Sequence, residues 1–185
     1  MEMQAHAMMG TTDAMMLWHI ALMNALAPAI AYSLRARLPS SLETSIFLAT
    51  ALQIGLLWGW HSPAALEAAM QHPVAGIAMH ISLFLSALWF WGAVVTTSER
   101  GSWRALVALL LTGKLFCLLG ALLVFSNSSL YPAHGSIASL DAAVAHQQRA
   151  GLLMLALCPL TYVAAGIVLS IRWFRRLARQ HEPLM

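Results

Sequence analysis

Histidine is the residue type that most directly suggests chemistry in this chain, because it is a common metal ligand and is rare in apolar helices. There are eight histidines. All except His181 fall on one side of the membrane that the hydropathy pattern implies. His19 and His80 lie inside apolar runs, each about 10 Å below the same surface at ~1.5 Å of rise per residue. Burying an imidazole costs free energy unless its nitrogens are paired, so two at matched depth on different helices are read as sharing an ion or a cofactor. Met15, His19 and Met23 follow one another at i, i+4 and i+8 and line one helix face, with Met16 at its border. Thioethers beside imidazoles suit Cu(I) better than a hard cation. The candidate metal ligands are therefore His19 and His80, with Met15 or Met16, and with His61, His72 and His146 as further donors near helix ends.

Plainer readings stand beside these. A methionine stripe at helical spacing is usually packing. His72 precedes Pro73 and suits a helix start near water. His61 follows Trp58 and Trp60 and equally suits an interfacial aromatic belt. His6 and His134 read as loop residues, and Met8 and Met9 lie just outside the first apolar run. Lys114 falls near the middle of an apolar run with no carboxylate at its depth, and it snorkels or bonds to carbonyls. Cys117 and Cys158 form no CxxC pair and read as small hydrophobes.

The elements that position these side chains follow from composition. The chain is 60% hydrophobic and 9% charged over 185 residues, far below the quarter or so of charged residues in a soluble domain. This implies an all-α, polytopic membrane helix bundle with five transmembrane helices in one domain. Five runs are long enough to cross ~30 Å of hydrocarbon, at about residues 14–34, 45–60, 73–97, 103–125 and 149–171. Thr12 or Asp13 would cap the first, and Pro73 would open the third. Residues 64–70 read as a short interfacial helix between two proline breaks, and residues 126–145 as a long connection. No positive n-region precedes the first run, which is read as a retained helix.

Arg35 and Arg37, Arg100 and Arg104, and Arg172, Arg175, Arg176 and Arg179 all fall on one side, against Arg149 on the other. The positive-inside rule then gives N-out, C-in. The basic balance reflects these loops and not nucleic-acid binding. No nucleophile-and-base pattern, phosphate loop or HExxH motif is present, so an enzyme is not expected.

Several stretches resemble one family. Met15-Met16-Leu17-Trp18-His19 through Met23, then Ala27-Pro28, is similar to the HMxxHMLL…AP helix of bacterial CtaG-type cytochrome c oxidase assembly factors. Trp60-His61-Ser62-Pro63, His72-Pro73, His80 through Phe84 and Phe90-Trp91 resemble the family's WHxP…H…H..F…FW stretch. Leu130-Tyr131 and Gln147 through Met154 resemble its LY…DQQ.AGL.M segment. The likeness runs from about Met15 to Trp173. Two positions depart from the pattern: Met15 stands where the family has a histidine, and His146 where it has an aspartate.

The resemblance implies an inner-membrane protein with a periplasmic N-terminus that handles copper, favoured as Cu(I), for a haem–copper oxidase. It implies oxidase subunits or periplasmic copper chaperones as partners. Two other readings stay open on the residues alone. One is a b-type haem protein with His19 and His80 as axial ligands. The other is a non-catalytic structural subunit of a respiratory complex, whose histidines bond only within the bundle.

Overall fold

The structure is a computed structural model that describes residues 16–98, 101–130 and 137–180. Five of its helices are long and apolar enough to cross a membrane. We number them with one short helix in chain order: α1 (Met16–Leu34), α2 (Ile46–Trp60), α3 (Pro63–Gln71), α4 (Pro73–Val95), α5 (Ser102–Phe125) and α6 (Ile137–Gln180). A 3-10 turn, Ser40–Ser45, leads into α2. Helix α5 has 24 residues, about 36 Å at ~1.5 Å per residue, enough to span the hydrocarbon. Large apolar side chains such as Leu48, Val74, Leu110 and Phe125 are exposed on the outside of the bundle, as a lipid-facing surface requires.

Prolines punctuate the turn around α3. Ser62 and His72 precede Pro63 and Pro73, and both adopt extended backbone (φ −65, ψ 144 and φ −118, ψ 116). Clash with the proline ring excludes the helical region for the preceding residue, so each X–Pro pair ends one helix and starts the next. Helix α3 therefore folds back and packs on α4. Gly76 allows the approach: a Cβ there would stand 3.0 Å from the Ala69 carbonyl oxygen.

Helix α4 packs against α1, α2 and α3, while α5 packs chiefly on α6. The middle of the bundle is filled by Tyr162, whose ring centroid lies 5.7, 5.1 and 5.4 Å from those of Phe90, Trp91 and Phe116. Its hydroxyl accepts a 2.7 Å hydrogen bond from the buried Gln53 Nε2, which satisfies two polar groups that hydrocarbon would otherwise penalise.

Two helix bounds differ from the sequence reading. The last helix runs through Ile137–Gln180, beyond the expected 149–171. Its polar ends, including Asp141 and Arg172 to Arg179, stop the apolar run without stopping the helix, because Ala, Gln and Arg are good helix formers. The connection expected over 126–145 is correspondingly shorter. Buried Gln147 closes it: its Oε1 accepts the Leu130 N–H at 2.8 Å, and its Nε2 donates to the Leu123 carbonyl at 3.2 Å.

Candidate metal centre

Three histidines from three helices converge at one end of the bundle. His19 is on α1, His61 follows the last turn of α2, and His80 is on α4. The His19 ring centroid lies 5.8 Å from that of His61 and 6.0 Å from that of His80, both in edge-on contact. His19 and His61 are buried and His80 is half-buried. Both His19 ring nitrogens and His61 Nε2 are buried from solvent.

Local helix geometry fixes two of the three rings. His61 Nδ1 lies 2.7 Å from the Leu57 carbonyl, and His80 Nδ1 lies 2.7 Å from the Gly76 carbonyl. A carbonyl only accepts, so each Nδ1 carries a proton, and in the corresponding neutral tautomer the lone pair lies on Nε2. Pinning one nitrogen to orient the other is the usual support for a metal-binding imidazole. The Leu57 carbonyl also accepts the His61 backbone N–H at 3.1 Å, one of the open carbonyls at the end of α2. Burial pushes the His61 imidazole below its ordinary range, with the Leu57 hydrogen bond acting in the opposite sense, so the ring is neutral at neutral pH. Trp60 Nε1 donates to Ser82 Oγ at 2.9 Å, tying the end of α2 to α4 beside His61 and His80.

Below His19, α1 departs from regular geometry. Leu22–Leu26 forms a π turn, and the Ala27 N–H reaches back five residues to the Leu22 carbonyl. The Met23 carbonyl therefore loses its usual donor, and Pro28 has no N–H to offer Asn24. Side chains of two other helices take both positions: Trp91 Nε1 donates to Met23 O at 3.2 Å, and Thr161 Oγ1 donates to Asn24 O at 2.8 Å. Helices α1, α4 and α6 are thus pinned at one level under the histidines. Single π turns are frequent at functional sites. The sequence carried one signal for this, the spacing of Pro28 four residues after the polar Asn24 inside the first apolar run.

The other candidates fall in different places. Met16, one turn before His19, is buried, as is Met23, so these two methionines point into the bundle. Met15, His6, Met8, Met9, His134 and the capping pair Thr12 and Asp13 lie outside the described residues. His72 is exposed at the α3–α4 turn. His146 is half-buried on α6. Asn24 Nδ2 contacts Cys158 Sγ at 3.7 Å, which aligns α1 and α6. Counting along both helices from that contact, at ~1.5 Å per residue, sets His146 about 10 Å further toward the histidine end than His19. The structure brings together His19, His61 and His80 and leaves His72 and His146 at its margin.

An ion about 2.0–2.1 Å from one nitrogen of each of two imidazoles holds their centroids roughly 5–6 Å apart. The centroid spacings match that span. Among the described residues, however, no group of three His, Cys, Asp or Glu side chains is placed to hold a metal ion. The rings are neighbours without forming a closed coordination shell.

Fold and site together define a multi-pass α-helical membrane protein with a histidine cluster at one end of its bundle. The family model for the cytochrome c oxidase caa3 assembly factor (Caa3_CtaG) matches residues 4–176. The chain belongs to this family of assembly factors, which are accessory proteins of the inner membrane and not catalysts. No curated protein and no solved structure matches it.

Proposed function

We propose that the chain holds copper, as Cu(I), for delivery to a haem–copper oxidase during assembly, using His19, His61 and His80 just beneath the periplasmic face with Met16 beside them. The observation that carries this reading is the convergence of three imidazoles from three helices, two of them locked in the tautomer that leaves Nε2 as a donor. Imidazole with thioether is a soft set suited to Cu(I) and to its release. Met15 would extend the soft face outward. His72 and His146 are better placed on the path of an arriving ion than in the site. Oxidase subunits and periplasmic copper chaperones are the partners this role requires.

The same reading sets the N-terminus in the periplasm. Arg35 and Arg172 line one groove, so the basic ends of α1 and α6 share a side opposite the histidines, and positive residues favour the cytoplasm.

Copper analysis of the purified full-length protein tests the site. Copper that co-purifies with wild type and is lost in His19→Ala and His80→Ala supports it. Copper content unchanged in both variants overturns it, and a Soret band in the wild type would replace copper with haem.

A further inference from the structure

Away from the histidines, an apolar groove of about 770 Å³ opens between α5 and α6, and Lys114 lies in its wall. Its shape follows from glycine placement. Toward the histidine end the two helices touch backbone to backbone: a Cβ on Gly151 would stand 2.7 Å from the Gly120 carbonyl oxygen, and one on Gly120 would stand 3.1 Å from that of Gly151. Toward the arginine end they part. A Cβ on Gly113 would meet only the Tyr162 Cβ at 3.7 Å, and one on Gly166 would meet nothing within 4 Å. The groove is the opening of this V, and it runs from Cys117 and Pro159 down to Leu106 and Phe174.

Lys114 is exposed on this face, and among the described residues no carboxylate lines the groove. The residue sits halfway along α5, so either end of the helix is about 17–18 Å away. A lysine stem reaches only about 6 Å toward an interface when it snorkels, which leaves both headgroup layers out of range. A cation at this depth pairs with an opposite charge or with backbone carbonyls; the carbonyls of a regular helix are already engaged in its own hydrogen bonds, which favours a counter-charge at the same depth. A second copy of this chain has none to offer: its seven acids are Glu2, Asp13, Glu43, Glu67, Glu99, Asp141 and Glu182, none near the middle of an apolar span. Small residues in the groove wall, Gly113, Gly166 and Ser170, are the kind that let another helix approach closely in lipid.

We propose that the groove between α5 and α6 receives a transmembrane helix of a different protein, one carrying an Asp or Glu near mid-bilayer that pairs with Lys114. This goes beyond the metal reading and does not depend on it, since no residue of the histidine cluster lines the groove.

The test uses the full-length protein in phosphatidylcholine vesicles with a fluorescent Leu/Ala transmembrane peptide bearing one central Glu. Energy transfer from a label at the end of α6 reads association. The Glu peptide is expected to bind about tenfold more tightly than its Gln counterpart. Lys114→Met should erase that difference, Lys114→Glu should transfer the preference to a Lys peptide, and Gly166→Leu, which fills the groove, should weaken binding with Lys114 intact. Equal binding of the Glu and Gln peptides, or a difference that survives in Lys114→Met, overturns the proposal. Displacement of the Glu peptide by phosphatidylglycerol at equal mole fraction also overturns it, by assigning Lys114 to a lipid phosphate.

Discussion

His19 and His80 face each other across two helices with ring centroids 6.0 Å apart, and the His61 ring approaches His19 from a third helix. This separates the outer histidines into two groups. His61→Ala should weaken Cu(I) binding by about ten- to a hundredfold, the usual cost of losing a site residue or its direct support. His72→Ala and His146→Ala should change it by about twofold or less, since the helix positions set both at the margin of the cluster. Competition against a Cu(I) chelator measures all three. A larger loss from His146→Ala than from His61→Ala would move the site toward the mouth of α6.

The buried His61 is expected to make the metal-free protein sensitive to acid. Its imidazole is held below its ordinary range by desolvation, so the folded state binds its proton less readily than the unfolded chain. Stability from this group is complete above the unfolded value of about 6.5 and declines as pH falls through that value toward the lower folded one. Thermal melts of metal-free protein in detergent should show a fall in Tm below about pH 6.5, flattened in His61→Gln. An identical pH profile in that variant would locate the acid sensitivity elsewhere.

The matched depth of His19 and His80 was legible because helical rise is fixed and the apolar runs give the starting points. His61 was ambiguous, because its burial depends on α3 folding back. The Ser62-Pro63 and His72-Pro73 pairs mark where the chain turns but not which side chains end up beneath the turn. Tyr162 and Gln53 gave no sign of meeting, since periodicity says which face is apolar and not which helix it meets. The α5–α6 groove was similarly hidden: Lys114 was visible as a misplaced charge, but the splay of the two helices depends on the contact of Gly120 with Gly151.

The π turn in α1 makes Trp91 and Thr161 structural supports of the site. Each donates to a backbone carbonyl that the turn or Pro28 leaves without its helical donor. Removing one donor should cost about 1–3 kcal/mol, the penalty of a buried acceptor left unsatisfied. Thr161→Val keeps the shape and deletes only the hydroxyl, and Trp91→Phe does the same for the indole N–H with some loss of volume. Both should lower unfolding stability in detergent and, by loosening α1, weaken metal binding secondarily. Thr161→Ser, which retains the donor, should stay close to wild type; if it falls as far as Thr161→Val, packing of the methyl group and not the hydrogen bond holds this level together.

Two glycines on the same helix should respond oppositely to the same change. In Gly151→Ala the new methyl meets the Gly120 carbonyl oxygen at 2.7 Å, with Val124 and Leu123 side-chain atoms at 2.8 and 2.9 Å. The nearest obstacle is backbone, so α5 and α6 must separate, and overpacking of this kind costs about 1–3 kcal/mol. In Gly166→Ala the methyl enters open space, and the helix gains the propensity advantage of alanine, up to about 1 kcal/mol. Unfolding of the two variants in mixed micelles should therefore move in opposite directions from wild type. The comparison also probes the V-shaped arrangement: separation of the helices at Gly151 should alter the width of the groove that holds Lys114, whereas Gly166→Ala should only line it. If both variants prove equally stable, the backbone contact at Gly120 and Gly151 does not set the crossing of these helices.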